Sequence, residues 1–210
     1  MTPKAVFWDM DGTLVDSEPL HAAALASAML SEGLVPPADL HERALGQTAA
    51  HIYGMMREEF GLTLPFPDWI ERKYSHYLAD LSGLRPRPGA IEIFREINAR
   101  GIPQAVVSNS DRMVVDANLS AVGLLYPGMK TVSRNDVREG KPHPEPFLRA
   151  AWLAGVDPKE AVAVDDSWTG ATAALAAGMK TVFWPEKPTA GPEGAINLNS
   201  LAELRAELGL

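Results

Sequence analysis

Short, continuous apolar runs recur along the chain and predict buried strands. The first run, residues 4–8, stops at Asp9, as a strand that enters a turn does. Because the runs do not alternate with polar residues, they are typical of strands buried on both faces of a parallel sheet. The strands predicted in this way span residues 4–8, 103–107, 129–132, 161–164 and 181–184.

Helical patterns lie between these runs. The predicted helices span residues 91–100, 113–122, 145–153, 169–177 and 201–208. A glycine follows four of them at the position where helices end: Gly101, Gly123, Gly155 and Gly178. Because strands and helices alternate, the pattern predicts an α/β fold with a doubly wound, mostly parallel sheet, a Rossmann-like core.

Residues 16–84 interrupt this alternation. They contain three helix-like segments, at about residues 20–32, 46–60 and 68–81, and no convincing strand. Prolines separate these segments. The sequence Arg-Pro-Arg-Pro-Gly at residues 85–89 is a stiff segment at which the chain returns to the sheet. We therefore predict an α/β core made of residues 1–15 and 85–210, with a small α-helical domain inserted at residues 16–84.

Composition and charge restrict the partners. The 210 residues include 19 Lys+Arg and 27 Asp+Glu, which gives a net charge of −8, and no stretch is rich in basic residues. Nucleic acid is therefore not an expected partner. No apolar run is long enough to cross a membrane, and the run before Asp9 is too short for a signal-peptide core. We expect a cytoplasmic protein without a membrane partner, as a monomer or a weak dimer.

The chain has no cysteine, which bears on its chemistry. Thiolate nucleophiles, cysteine-bound zinc and iron–sulfur clusters are all excluded. Any metal must then be held by oxygen or imidazole ligands, which favours hard cations.

Polar residues follow each of the first four predicted strands: Asp9 and Asp11, then Ser108, Asn109 and Ser110, then Lys141, then Asp165 and Asp166. The carboxyl ends of parallel strands meet at one crevice, so these side chains are expected to converge. Taken alone, an aspartate at a strand end is more often a turn former or a helix N-cap than a catalytic group. The joint pattern favours a functional site.

Such a group of carboxylates requires a compensating cation. Two like charges ~4 Å apart repel each other by about 4 kcal/mol at an effective dielectric constant of 20. Mg²⁺ prefers oxygen ligands and is typically held by one or two carboxylates together with a substrate phosphate. Lys141 would add a further positive charge, and Ser108 with nearby backbone N–H groups would bind phosphate oxygens. The pattern predicts Mg²⁺ as cofactor and a dianionic phosphoryl group among the acids.

The spacing of Asp9 and Asp11 suits a two-step phosphoryl transfer. One carboxylate can attack phosphorus and form an aspartyl-phosphate, which divides hydrolysis into two easier steps. A second carboxyl two residues later can protonate the leaving oxygen and then deprotonate the attacking water.

Four segments resemble the motifs of a known family. Residues 9–21, which read Asp-Met-Asp-Gly-Thr-Leu-Val-Asp-Ser-Glu-Pro-Leu-His, resemble the first motif of the haloacid dehalogenase superfamily, in its phosphatase and β-phosphoglucomutase-like branch. The second, third and fourth motifs are matched by residues 106–110, 140–147, and 165–170 with 176–179. The motifs come in the family's order, and the resemblance covers nearly the whole chain.

The resemblance implies roles for the polar residues. Asp9 corresponds to the nucleophile, Asp11 to the general acid and base, and Lys141 to the residue that neutralises and orients. Because the family's dehalogenases lack the second acid of the first motif, Asp11 favours phosphoester chemistry over dehalogenation. The residues that the resemblance assigns to phosphate or substrate binding are Ser108, Asn109, Gly12 and His21.

The resemblance also implies a set of magnesium ligands. Asp9, the backbone carbonyl of Asp11, and Asp166 correspond to the direct ligands. Asp165 occupies a position where relatives often carry Glu, and it is either a direct ligand or a neighbour that orients the others.

The inserted helical domain corresponds to the family's cap, which closes over the site and contacts the leaving group. His21 either assists proton transfer at the base of this cap or is a first-turn surface histidine after Ser17. In the mutase branch, an arginine shortly after a glycine holds a second phosphate. The sequence Gly46-Gln47-Thr48-Ala49 lacks that arginine, which disfavours bisphosphate recognition.

Together these features predict a Mg²⁺-dependent hydrolase of a small phosphomonoester such as a sugar phosphate or phosphoglycolate. The alternatives are a sugar phosphomutase of the β-phosphoglucomutase type, a receiver-like phospho-aspartate signalling module, and a non-catalytic scaffold. Three tryptophans, Trp152, Trp168 and Trp184, are predicted to be packing residues rather than a stacking platform.

Overall fold

A computed structural model of the chain describes residues 3–44 and 47–210. The chain forms two compact units, one of Met1–Asp16 with Arg85–Leu210 and the other of Ser17–Leu84. Asp16, which the sequence pattern places in the insertion, lies in the first unit because it pairs with Arg85 in a short antiparallel ribbon. We call the first the α/β unit and the second the helical unit.

The α/β unit is built on a six-stranded sheet. In chain order the strands are β1 (Ala5–Trp8), β2 (Val15–Asp16), β3 (Arg85–Pro86), β4 (Gln104–Val107), β5 (Lys130–Val132), β6 (Ala161–Asp165), β7 (Lys180–Phe183) and β8 (Ile196–Asn197). The order across the sheet is β5-β4-β1-β6-β7-β8, and every neighbouring pair is parallel. β2 and β3 form the separate antiparallel ribbon.

The helices are divided between the two units. In chain order they are α1 (Glu18–Ser31), α2 (Leu40–Ala44), α3 (Ala49–Phe60), α4 (Phe66–Ala79), α5 (Ala90–Ala99), α6 (Arg112–Ala121), α7 (Glu145–Ala154), α8 (Trp168–Ala176) and α9 (Leu201–Leu208). The first four belong to the helical unit and the others to the α/β unit. The predicted α/β fold with a parallel, Rossmann-like sheet is confirmed. Within the described residues, no helix has the length and hydropathy needed to cross a membrane.

β1 is buried on both faces, as its continuous apolar sequence predicts. Phe7 belongs to a buried cluster with Phe147 of α7, whereas the next residue, Trp8, packs on Phe94 of α5 at 6.1 Å between ring centroids. The indole of Trp8 donates a buried hydrogen bond of 2.9 Å to Gln104 of β4. Each fully buried residue of this kind stabilises the fold by roughly 1.5 to 3 kcal/mol. Trp8 thereby fixes the strand end that precedes Asp9.

The helical unit has its own apolar core. Leu25 and Met29 of α1, Met56 of α3 and Trp69 of α4 are nearly or completely buried in it. α3 begins after Thr48, whose side chain accepts a hydrogen bond from the backbone N–H of His51. The sequence pattern predicts that this helix starts three residues earlier, at Gly46, and that position lies outside the described residues.

Candidate active site

Three carboxylates meet at the carboxyl ends of β1 and β6. Asp9 directly follows β1, Asp165 is the last residue of β6, and Asp166 comes next. Each offers an oxygen within 4.8 Å of the others. β1 and β6 are parallel neighbours that pair Trp8 with Val164, so residues separated by more than 150 positions in the sequence lie side by side.

Lys141 lies between two of these acids. Its Nζ is 2.5 Å from Oδ1 of Asp9 and 2.8 Å from Oδ2 of Asp165. The lysine side chain is 3% exposed and that of Asp165 is fully buried. Burial alone would lower the pKa of the lysine, but the charges of Asp165 and Asp9 raise that pKa above its ordinary value. Lys141 is therefore a fixed positive charge.

The backbone of Lys141 is held by Asn109. The side-chain Oδ1 of Asn109 accepts a hydrogen bond of 2.8 Å from the N–H of Lys141, and Nδ2 donates one of 3.0 Å to its carbonyl. A Cβ on Gly140 would lie 2.6 Å from this Oδ1, so only glycine fits there without displacing the amide. The resemblance assigns Asn109 to phosphate binding, and the structure places its carboxamide on the lysine loop.

Asp165 orients its neighbours. Its Oδ2 accepts from Lys141, while Oδ1 accepts from the backbone N–H of Ser167 at 2.9 Å and from the Ser167 hydroxyl at 2.8 Å. Ser167 in turn caps α8 by accepting from the N–H of Gly170. A Cβ on Gly170 would lie 1.8 Å from Oδ2 of Asp165, so this helix approaches the carboxylate as closely as a glycine allows.

Asp11 is held by hydroxyl donors from the segment after β4 and by an amide donor from α6. Its Oδ2 accepts from the hydroxyls of Ser110 at 2.8 Å and Ser108 at 3.2 Å, and Oδ1 lies 3.5 Å from Nδ2 of Asn118. The Ser108 hydroxyl also accepts from the N–H of Ser110. The sequence pattern missed Asn118. This residue could have been found as the polar side chain on the buried face of α6, among Val114, Val115 and Leu119.

The turn after β1 approaches Asp166 closely. The Thr13 hydroxyl donates a hydrogen bond of 2.7 Å to Oδ1 of Asp166. Gly12 has a φ of 85°, in the left-handed region, and a Cβ there would lie 2.3 Å from Oδ2 of Asp166. Gly12, which the resemblance assigns to phosphate binding, is thus required for the contact between this turn and Asp166.

The acids carry more negative charge than Lys141 offsets. Burial raises the pKa of Asp9 well above its ordinary value, and nearby acids add to this effect while Lys141 opposes it. Burial, followed by the charge of Asp165, raises the pKa of Asp166 to about 7. Burial first and the neighbouring acids second thus disfavour the charged forms of Asp9 and Asp166, and a bound cation would favour those forms.

The donor set fits a hard divalent cation. All three converging ligand atoms are carboxylate oxygens, which suit Mg²⁺. Oδ1 of Asp9 accepts from Lys141, and Oδ1 of Asp166 accepts from Thr13. Among the described residues no hydrogen-bond donor occupies Oδ2 of either acid, so this oxygen of each is available to a cation. Both oxygens of Asp165 already bind protein donors. Asp9 and Asp166 would therefore hold the ion directly, with Asp165 beside them.

His21 lies in the first turn of α1 in the helical unit. Its ring stacks on that of Tyr77 of α4, with the centroids 4.3 Å apart and the planes at 26°. Tyr77 is completely buried, so this stack fixes His21 within the helical unit.

The three tryptophans differ in burial. Trp184 is buried, as predicted for a packing residue, but Trp152 and Trp168 are 75% and 58% exposed. For these two the packing prediction is wrong, because each lies on a helix at a position that faces solvent. The indole N–H of Trp168 donates a hydrogen bond of 2.9 Å to the carbonyl of Ala190.

Comparison with known proteins identifies the family. A model of the haloacid dehalogenase-like hydrolases matches residues 3–178. The chain belongs to this family. The resemblance of the four motifs is thereby confirmed, and so is the prediction of a phosphoric monoester hydrolase of the haloacid dehalogenase-like type.

Individual relatives of this haloacid dehalogenase-like hydrolase are phosphatases. The chain is 30% identical over 216 residues to phosphoglycolate phosphatase of Rhodospirillum rubrum, covering 99% of this chain and 90% of that protein. It is 31% identical over 186 residues to hexitol phosphatase A of Escherichia coli, covering 87% and 83%. The crystal structure of CbbY from Rhodobacter sphaeroides in complex with phosphate has a TM-score of 0.87 at 28% identity, covering all of both chains.

Proposed function

We propose that this haloacid dehalogenase-like hydrolase is a Mg²⁺-dependent phosphatase that hydrolyses a small phosphomonoester through an aspartyl-phosphate on Asp9. The observation that carries the proposal is the position of Lys141, bonded to Asp9 and Asp165 beside Asp166. Such an arrangement concentrates negative charge around one fixed ammonium. It suits a dianionic phosphoryl group that arrives with a divalent cation.

In the first step, a carboxylate oxygen of Asp9 attacks phosphorus and the bond from phosphorus to the ester oxygen breaks. Asp11 gives its proton to that leaving oxygen, so the alcohol departs neutral. Asp9 then carries the phosphoryl group as a mixed anhydride, and Asp11 is an anion. Bound Mg²⁺ would supply charge neutralisation between the phosphoryl oxygens and the acids.

In the second step, water attacks phosphorus and the bond to Asp9 breaks. Asp11 takes a proton from this water and returns to its acid form, while Asp9 is regenerated as a carboxylate. Ser110 and Ser108 hold Oδ2 of Asp11 in place, because both hydroxyls donate to it. The carboxyl that acts in both steps is thereby kept in one orientation.

Lys141 and Asp165 hold the carboxylate of Asp9 in position for attack. The ammonium holds Oδ1 of Asp9 and is itself held by Asp165 and, through its backbone, by Asn109. A lysine fixed at these points does not move to accommodate charge during the reaction. Such preorganised charge stabilises a transition state at no cost in reorganisation.

We assign the substrate to small phosphorylated metabolites such as sugar phosphates or phosphoglycolate. The relatives named above are a phosphoglycolate phosphatase and a hexitol phosphatase, which supports this class. The net charge of −8 disfavours nucleic acid as a partner. A sugar phosphomutase remains the alternative, since it would use the same aspartyl-phosphate and pass the phosphoryl group to a sugar hydroxyl instead of water.

The test is a panel of phosphorylated metabolites assayed for phosphate release with Mg²⁺ and with a chelator. We expect Mg²⁺-dependent release from one or more small esters, and its loss in Asp9→Asn. The matched control is Asp116→Asn, which changes a surface acid of α6 and should leave activity unchanged. Isomerisation of a sugar phosphate without phosphate release would favour the mutase, and full activity of Asp9→Asn would exclude Asp9 as nucleophile.

A further inference from the structure

Arg87 lies where the chain returns to the α/β unit, directly after β3. Its backbone N–H donates a hydrogen bond of 2.9 Å to the carbonyl of Leu14, which extends the ribbon of β2 and β3 by one bond. The sequence pattern treats Arg87 only as part of a stiff proline-rich return. The structure gives its side chain three partners.

The guanidinium of Arg87 binds three backbone carbonyls from two separate segments. Nη1 donates to the carbonyl of Gly12 at 2.8 Å and to that of Trp184 at 2.6 Å, and Nη2 donates to that of Pro185 at 2.9 Å. The guanidinium carbon also lies 3.5 Å from the centroid of the Trp184 indole. A planar fork of fixed donors can satisfy this set, whereas a lysine ammonium cannot reproduce it.

Both segments carry acids of the candidate site. Gly12 belongs to the turn of Asp9 and Asp11, and its Cα lies against the carboxylate of Asp166. Trp184 follows β7, and its backbone N–H donates a hydrogen bond of 2.9 Å to the carbonyl of Asp165. Arg87 therefore connects the turn after β1 with the segment that borders the end of β6.

We propose that Arg87 is a positioning residue that holds the turn of Asp9 and Asp11 in register with Asp165 and Asp166. It touches no reacting atom. Its guanidinium sets the distance between two loops whose carboxylates must act together. The catalytic part of this inference rests on the proposed phosphatase function, but the positioning itself is a property of the loops and is measured without substrate.

The experiment compares Arg87→Lys and Arg87→Gln with the wild type. Lysine keeps the positive charge without the fork, and glutamine removes the charge. The matched control is Arg100→Lys, because Arg100 also donates to a backbone carbonyl, that of Gly209 at 2.9 Å, and neither residue belongs to the candidate site. The measurements are amide hydrogen exchange, melting temperature, and kcat and KM for p-nitrophenyl phosphate with Mg²⁺.

In both Arg87 variants we expect faster exchange at the amides of Leu14 and Val15, which bond to Met10 across the turn. The amides of β1 and β6 should keep their protection. We expect kcat to fall by about 10-fold or more, with KM changed by less than about 3-fold, since misplaced groups slow the reaction itself. Arg100→Lys should change none of these quantities.

Three results would overturn the proposal. Unchanged exchange at Leu14 and Val15 would show that the carbonyl bonds do not hold the turn. Faster exchange throughout the sheet, with a large fall in melting temperature, would make Arg87 a support of the whole fold. Full activity of Arg87→Lys with an inactive Arg87→Gln would make charge, and not the fork, the essential property. If instead the wild type hydrolyses no ester, the proposed function fails while the exchange result still decides the role of Arg87.

Discussion

Asn109 binds the backbone of Lys141 through two reciprocal hydrogen bonds, of 2.8 and 3.0 Å. This pairing joins the loop after β4 to the loop that carries the lysine, 32 residues further along the chain. The ammonium of Lys141 then reaches Asp9 and Asp165. A residue that resemblance assigns to phosphate binding is thus placed to determine where the positive charge of the site lies.

Replacing Asn109 with alanine should displace this lysine. We expect kcat to fall by about 10- to 100-fold because Lys141 loses its fixed position. Two lost hydrogen bonds should lower the free energy of unfolding by about 2 kcal/mol. Steady-state kinetics and denaturant unfolding measure both effects. The control is Asn98→Ala, which removes an exposed contact to Tyr126 and should alter neither. Wild-type kcat in Asn109→Ala would contradict this role.

Gly170→Ala tests the close approach of α8 to Asp165. The new Cβ would lie 1.8 Å from Oδ2 of Asp165, so the helix or the carboxylate must move. We expect a loss of about 1 to 3 kcal/mol in the free energy of unfolding, together with lower activity. Gly54→Ala is the matched control, because Gly54 lies within α3 and no described atom is within 4 Å of its added Cβ. That substitution should stabilise by about 0.5 to 1 kcal/mol. Equal effects of the two substitutions would contradict the packing described.

Lys141→Met removes the cation between two buried acids. The free energy of unfolding without Mg²⁺ should fall by about 3 to 5 kcal/mol, because Asp9 and Asp165 lose their shared partner. Added Mg²⁺ should restore part of this loss if it binds the same acids. Lys180→Met breaks only an exposed ion pair with Glu207 and should cost about 1 kcal/mol or less, without a response to Mg²⁺. Thermal unfolding with and without Mg²⁺ distinguishes these outcomes.

The pKa of Asp166, raised from 3.8 to about 7, predicts a specific pH dependence. Between these values the folded protein holds a proton that the unfolded chain releases, so this group's contribution to metal-free stability falls as pH rises through that window. A cation bound by Asp166 must displace the proton. Mg²⁺ affinity should therefore increase as pH rises through this window.

Calorimetric titration with Mg²⁺ in buffers of different ionisation enthalpy counts the protons released. We expect more protons to be released per ion at about pH 6 than at about pH 8. Asp166→Asn should lower the number of protons released. Binding of Mg²⁺ at low pH without proton release would show that the ion does not displace a proton from Asp166.

The sequence predicted five strands of the sheet well, because β1, β4 and β6 are completely buried and β5 and β7 are buried in part. β1, β4, β5, β6 and β7 each lie within one residue of their predicted bounds at both ends. The ribbon of β2 and β3 and the edge strand β8 were not predicted, since two residues are too few to show a pattern. α2, with five residues, was missed for the same reason.

The candidate site was predictable where residue type alone limits the chemistry. Asp9, Asp11, Lys141 and Asp166 each follow a strand, and a crowded set of acids calls for cations. Partners that act by position were not predictable in this way. Asn118 reaches Asp11 across 107 residues, and the fork of Arg87 reaches Trp184 across 97. An asparagine on a helix or an arginine between prolines has many possible roles, and only the folded chain selects one.

In the proposed mechanism Asp9 carries the phosphoryl group during turnover. The most direct measurement uses the variant Asp11→Asn with p-nitrophenyl phosphate and Mg²⁺. This substrate has a good leaving group, so the first step needs little help from an acid, whereas the second step lacks its base and should be slow. The reaction is stopped with acid and reduced with borohydride, which converts an aspartyl-phosphate to homoserine, and the peptides are mapped by mass spectrometry. We expect homoserine at position 9 in proportion to the p-nitrophenol released in the first turnover. Release of p-nitrophenol with an unmodified Asp9, or with the modification at another acid, would contradict the proposed mechanism.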